Sequence, residues 1–257
     1  MSNDTLTCAY NDLDAVQQLV AAHGHELAAI IVEPVAGNMG CILPKPGFLE
    51  GLRALCDGND IVLIFDEVMT GFRLAKGGAQ EALEIDADLV TYGKVIGGGM
   101  PVGAFGGKKQ IMEMVAPLGS VYQAGTLSGN PIAMIAGFTT LNILNENPSI
   151  YTELAEKSTY LKDGLQRVLS AASIPFVINN FGSMISVHFS AHEVTNFVTA
   201  ASANNEVFKQ FFHAMLSRGI YLPPSPFESW FLNNALTTAD LDKTIEAAGE
   251  SIKEITG

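Results

Sequence analysis

The sequence predicts an α/β fold: a mostly parallel sheet with crossover helices over residues 1–145, then a small α+β domain over 146–257. Three observations carry this. Apolar runs at residues 28–32, 61–65 and 89–92 each give way to polar or glycine residues, as buried strands do at their ends. Helical patterns of apolar residues lie between them, at lengths that return successive strands to one parallel sheet. Beyond about residue 145 the alternation changes, and long amphipathic helices frame two strand-like runs.

The elements follow in order. Asn11 can cap a first helix, Asp14 suits its first turn, and Leu13, Val16, Leu19 and Val20 share a face up to Gly24. Residues 28–32 form a strand that runs into Glu33-Pro34. A short helix at 46–56 carries Phe48, Leu49, Leu52 and Leu55. The second strand, 61–65, ends in Asp66-Glu67. A glycine-rich connection with a short helix at 80–84 leads to the third strand, 89–92, which ends at Gly93-Lys94. Gly97-Gly98-Gly99-Met100-Pro101 punctuates the chain before a short strand at 102–105. Ser128-Gly129-Asn130-Pro131 opens an apolar helix to about Leu144, and Asn145 to Pro148 breaks it. A helix at 152–172 then turns Leu161, Leu165 and Val168 inward, and strands follow at 176–178 and 184–189. Phe208, Phe211, Phe212, Met215 and Leu216 mark a helix ended by Gly219. Leu241, Ile245, Ala248, Ile252 and Ile255 form the stripe of the last one.

Composition excludes whole classes of function. The 257 residues carry 14 Lys+Arg against 27 Asp+Glu, a formal charge of −13. Such a chain has no basic face with which to coat nucleic acid, although a small cationic pocket for one phosphate is compatible with it. No apolar run approaches the ~20 residues that cross a bilayer. Met1 to Asp4 lacks the basic and apolar regions of a secretory leader. Cys8, Cys41 and Cys56 are odd in number and lack metal-type spacing, so a cytoplasmic location is expected. His23-Gly24-His25 could suggest a metal site, but no third ligand is visible, so it reads as a solvated turn and no metal is expected.

Chemistry concentrates between Glu33 and Asn130. Asp66 ends one strand and Lys94 follows the next, and a strand–crossover–strand unit brings both to one edge of a parallel sheet, where α/β proteins place ligands. A carboxylate and an amine in one pocket are what pyridoxal phosphate needs: the amine forms the Schiff base, and the carboxylate keeps the pyridine nitrogen protonated. On spacing alone the alternatives stay open. Asp66-Glu67 also reads as a helix cap or solvated turn, and Lys94 as a surface residue.

Whole segments go beyond spacing. Glu33-Pro-Val-Ala-Gly-Asn-Met-Gly40, Asp66-Glu-Val-Met-Thr-Gly-Phe-Arg73, Gly93-Lys-Val-Ile-Gly-Gly-Gly-Met-Pro-Val-Gly-Ala104 and Tyr122-Gln-Ala-Gly-Thr-Leu-Ser-Gly-Asn-Pro131 occur in this order. Together with Gly219-Ile-Tyr-Leu-Pro-Pro-Ser-Pro-Phe-Glu228, they resemble the glutamate-1-semialdehyde 2,1-aminomutases. That family belongs to the class III aminotransferase group of fold-type I pyridoxal phosphate enzymes. The Met-Thr-Gly-Phe-Arg form after Asp66-Glu67 favours the aminomutases over sister aminotransferases.

The resemblance implies the C-terminal part of a fold-type I large domain over 1–145 and the small C-terminal domain over 146–257. It implies pyridoxal 5′-phosphate or pyridoxamine 5′-phosphate as cofactor and glutamate-1-semialdehyde as substrate, rearranged to the tetrapyrrole precursor 5-aminolevulinate. It makes Lys94 the Schiff-base lysine and proton carrier, and pairs Asp66 with the pyridine nitrogen. Val68 packs against the ring, Thr126 reaches the cofactor phosphate of a neighbouring subunit, and Glu228 lies near the substrate's amino groups. Gly125-Thr126 precedes a helix start, which favours anions; the alternative is plain capping by Thr126 or Ser128. Glu67 reads as a structural hydrogen-bond partner, and His188, His192 and His213 as structural. The chain lacks the family's N-terminal portion, with its phosphate-binding Ser-Gly-Thr turn and ring-stacking aromatic, and the histidine usual near Leu236. A truncated or split aminomutase, impaired alone and either homodimeric or associated with the missing N-terminal half, is therefore expected. A class III aminotransferase of another substrate and a non-catalytic dimerisation module are the alternatives.

Overall fold

Asp12, not Asn11, caps the first helix. In the computed structural model, which describes residues 4–256, Asp12 Oδ1 accepts the Ala15 N–H at 3.0 Å. Asn11 turns away at φ 66° and accepts the Lys45 N–H at 2.7 Å. The leader reading at Met1 to Asp4 falls mostly on residues 1–3, outside the described ones.

The chain divides into two compact units. One holds the residues up to Pro34 and Lys45–Pro148; the other holds Val35–Pro44 and the residues from Ser149. The first begins with α1 (Leu13–His23), β1 (Ala29–Val32), α2 (Phe48–Asn59) and β2 (Val62–Asp66). It continues through α3 (Gly78–Leu83), β3 (Leu89–Tyr92), a 3-10 turn (Lys94–Gly97), β4 (Ala104–Gly107), α4 (Lys109–Met112) and α5 (Pro131–Glu146). The sheet order is β1-β2-β3-β4; the first three strands are parallel and β4 is antiparallel to β3. The last strand thus lies two residues beyond the predicted 102–105. The glycine-rich turn must finish reversing the chain before Ala104 can pair with Tyr92.

Burial in this sheet alternates. Leu63 and Phe65 are sealed against the core built with α1 and α2, through Val16, Leu49 and Leu52. Leu13 of α1 lies where a side chain at Gly51 of α2 would go, so the two helices meet at close range. The opposite face carries Ile31, Ile64 and Asp66 and stays open, with Ile31 63% exposed. Strands expected to be buried throughout are therefore buried on one face. Asp88, on the link from α3 to β3, ties the layers. It accepts the Leu63 N–H at 2.7 Å and pairs with Arg53 of α2 at 2.9 Å and with Lys108 at 2.5 Å. Burial alone would raise its pKa; these donors hold it below the usual aspartate value.

The second unit comprises α6 (Ser149–Leu169), β5 (Val177–Phe181), β6 (Met184–His188), α7 (Phe197–Ala201), α8 (Asn205–Ser217), β7 (Trp230–Phe231) and α9 (Thr238–Thr256). Its antiparallel sheet runs β5-β6-β7. The predicted stripes of α6, α8 and α9 meet in one core with Ile185 and Val187, except Leu216 of α8, which is 44% exposed. The short elements α4, α7 and β7 were not legible, because each is too brief to show a hydrophobic period. No helix among the described residues is long and apolar enough to cross a membrane.

Candidate active site

Asp66 and Lys94 lie at the same end of the sheet. Asp66 is the last residue of β2, and its register partner on β3 is Thr91. Lys94 follows Thr91 by three residues, about 10 Å of chain at strand rise. Asp66 is half-buried and Lys94 exposed. Asp66 Oδ1 accepts the Val68 N–H at 3.0 Å and the Thr91 hydroxyl at 3.3 Å. Val68 folds back over the neighbouring strand end: a side chain on Gly93 would sit 3.1 Å from its Cγ1. Asp66, Val68 and the residue before Lys94 thus form one surface.

Lys94 opens its 3-10 turn at φ 47°, a left-handed conformation that costs a residue with a side chain about 1–2 kcal/mol. Packing holds it there. A side chain on Gly98 would meet the Ala136 carbonyl of α5 at 2.5 Å, and one on Gly137 would overlap the Ile96 carbonyl. Turn and helix therefore touch backbone to backbone through two glycines. Strain of this kind gathers where function requires a side chain in one place.

Glu67, beside Asp66, is fully buried and caps α3. It accepts N–H groups from Ala79 at 2.5 Å and Gln80 at 3.2 Å and the Thr70 hydroxyl at 3.0 Å. Burial raises its pKa, and these donors oppose the rise. Gly78 has φ 71° and leaves the space that the Glu67 carboxylate fills. Glu67 is accordingly a brace for the loop after Asp66, as its sequence reading expected.

Thr126 is exposed in the turn before α5. Asn130 is the cap: its Oδ1 accepts Ile132 N–H at 3.1 Å and Ala133 N–H at 3.2 Å. Pro131 has no N–H to give. The anion-attracting start of α5 is thus already occupied by the Asn130 side chain. Neither Thr126 nor Ser128 caps the helix; Thr126 offers its hydroxyl alone. Glu228 is exposed in the second unit, and its N–H donates to Ser225 O at 3.2 Å. His23 ends α1 and His25 lies on the exposed turn after it, each 3.9 Å from the Glu26 carboxylate.

The sequence reading missed two parts of this site. Thr91 is one, since a threonine in a strand is ordinary by composition. The close approach of Gly98 to Ala136 and of Gly137 to Ile96 is the other, made by residues far apart in the chain.

The chain is 60% identical over 246 residues to a glutamate-1-semialdehyde 2,1-aminomutase of Flavobacterium johnsoniae, matching 96% of this chain and 58% of that protein. A namesake from Flavobacterium psychrophilum is 54% identical over 99% of this chain and 59% of its own length. The chain therefore spans somewhat under three-fifths of these curated relatives. Among solved structures, an omega-transaminase from Sphaerobacter thermophilus superposes with a TM-score of 0.89 at 30% identity, over 96% of this chain and 57% of that one. A glutamate-1-semialdehyde-aminomutase variant from Pseudomonas aeruginosa PAO1, in complex with PMP, gives 0.85 at 26%, over 96% and 56%. The fold is that of part of a class III aminotransferase. The model of the class-III aminotransferase family matches residues 2–255, and the chain belongs to that family.

Proposed function

We propose that this chain carries the lysine and aspartate half of a glutamate-1-semialdehyde 2,1-aminomutase site, converting glutamate-1-semialdehyde to 5-aminolevulinate when the rest of the enzyme is present. The observation that carries this is Lys94, held left-handed beside the strand end of Asp66. The relatives' 60% and 54% identity favours the aminomutase substrate. The better superposition on an omega-transaminase keeps an aminotransferase of another amine as the second reading.

The residues fit pyridoxal or pyridoxamine phosphate. The cofactor, when bound, supplies an aldehyde or amine and an electron-accepting ring. Lys94 Nζ is the amine that would hold the aldehyde and would take a proton from, and return it to, the reacting centre. Asp66, with one oxygen already satisfied, keeps an anionic oxygen for the ring nitrogen. Val68 is an apolar wall for the ring. Thr126 gives one hydroxyl to the phosphate, and by resemblance Glu228 meets the substrate's amino groups. One hydroxyl does not hold a phosphate tightly, so the chain alone binds the cofactor weakly and has little activity.

The remaining parts of the reading are a cytoplasmic enzyme and a partner, either a second copy or the portion of the relatives that this chain does not span. Borohydride reduction after incubation with pyridoxal phosphate is expected to leave one adduct, mapped by mass spectrometry to Lys94. Adducts spread over surface lysines and unchanged in Lys94→Ala would sink the assignment. Conversion of the semialdehyde to 5-aminolevulinate, compared with amine transfer from other donors, decides between the two substrate readings.

A further inference from the structure

We propose that Thr91 is the positioning residue for Asp66, and that it divides the labour between the two carboxylate oxygens. This deepens the reading of Asp66 as the partner of the ring nitrogen and rests on it. An ionised carboxylate only accepts, so the Thr91 hydroxyl, 3.3 Å from Oδ1, is the donor. The Val68 N–H donates to the same oxygen at 3.0 Å. Both protein donors therefore fall on Oδ1, and Oδ2 is left for the N–H of a ligand ring.

The register makes this a built arrangement. Thr91 is the direct partner of Asp66 across β2 and β3, so their side chains rise from the same face of the sheet. The Glu67 N–H donates to Thr91 O at 3.0 Å, which ties the two backbones at the same point. Threonine is β-branched and stiff at χ1, so its hydroxyl stays fixed over the carboxylate. Valine has the same shape and no donor; serine has the donor and less stiffness. A carboxylate without this second donor rotates about its Cβ–Cγ bond, and Oδ2 is no longer held toward the ligand.

The first test needs no cofactor. Amide hydrogen exchange is measured at Val68, relative to Leu63 in the sheet core, for the wild-type chain and for Thr91→Val, Thr91→Ala and Thr91→Ser. Loss of the hydroxyl is expected to speed Val68 exchange about tenfold in the valine and alanine variants, the effect of one hydrogen bond to a charged group. Serine restores it to within about threefold, the difference reflecting its looser rotamer. The alanine variant keeps the test open should valine prevent folding. Unchanged Val68 protection in both hydroxyl-free variants, or failure of serine to restore it, overturns the positioning role.

A second measurement reads the ring. In protein kept at a saturating excess of 15N-labelled pyridoxal phosphate, the nitrogen shift of the bound ring is expected to report a protonated ring in the wild type and in Thr91→Ser, and a largely unprotonated one in Thr91→Val. A protonated ring in Thr91→Val overturns the link from Thr91 to the cofactor. Changed Val68 protection without any borohydride adduct on Lys94 in the wild type overturns the cofactor reading instead, and leaves the Thr91–Asp66 arrangement standing.

Discussion

Lys94 shows at the scale of one residue what sequence spacing conveys and what it omits. Its distance from Asp66 along the chain places both at one sheet edge, and the register sets Asp66 opposite Thr91, three residues before Lys94. Its φ of 47° was invisible, because packing elsewhere imposes it: Gly98 and Gly137 bring the turn against α5. A strained residue kept for its side chain trades stability for function. Lys94→Gly removes the left-handed penalty of about 1–2 kcal/mol while adding glycine's backbone entropy of about 0.5–1 kcal/mol. We expect a net gain of about 0.5–1 kcal/mol in urea unfolding, together with loss of the borohydride adduct. Lys94→Ala keeps the strain and is expected to gain nothing. Equal stability of the two variants would mean that the turn relaxes freely and that no strain is stored there.

Elements teach a different lesson in the segment Val35–Pro44, which joins the second unit although it lies between β1 and α2 in sequence. Gly40, at φ 91°, has no room for a side chain because the His188 imidazole is 2.5 Å from where one would begin. The Gly40 N–H donates to Phe227 O at 2.8 Å, and the Cys41 N–H to Ser186 Oγ at 2.7 Å. The family block 33–40 was legible as a motif, and His188 as structural. Their contact was not, because 148 residues separate them. His188 is 2% exposed, its Nε2 has no hydrogen-bond partner among the described residues, and burial lowers its pKa to about 4. The Cys41 thiol beside it is pushed up to about 12 by burial and so stays neutral in acid. The unfolded chain takes up this proton at the ordinary histidine value of about 6.5, and the folded one only near 4. The neutral imidazole's contribution is thus complete above pH ~6.5 and is lost as pH falls toward 4, up to about 3 kcal/mol in all. Urea midpoints of the second unit should fall over this window, and His188→Gln should flatten that slope. A slope unchanged by the substitution would assign the acid sensitivity to other groups.

For the whole molecule, the α/β alternation was legible because each long strand and helix declares its own period. The open face of the sheet was not, because runs such as residues 28–32 read as fully buried whether or not anything covers them. Ile31 on β1 is 63% exposed and Phe105 on β4 46% exposed. Helix α5 presents Ile132, Ile135 and Phe138, each 60% exposed or more, and buries only Ala133 and Gly137. Isolated exposed apolar residues are ordinary, but a helix carrying this stripe and a sheet with an uncovered face mark surfaces that proteins cover. The relative at 60% identity is longer by the two-fifths that this chain does not match, enough polypeptide to cover both. Co-expression with the unmatched portion of the Flavobacterium johnsoniae relative is therefore expected to give a stable 1:1 complex with a raised melting temperature. The chain alone is expected to self-associate at micromolar concentration and to bind a hydrophobic dye. Ile132→Ser combined with Ile135→Ser and Phe138→Ser should weaken the complex by at least tenfold, since each buried side chain contributes about 1.5–3 kcal/mol. The chain's charge of −13 adds a control. Raised salt screens self-repulsion and should strengthen apolar association, whereas a complex held by ion pairs would weaken. A monodisperse, dye-silent monomer that ignores the added portion would show that these surfaces need no cover, and would leave the lysine and aspartate of this chain without the remainder of a site.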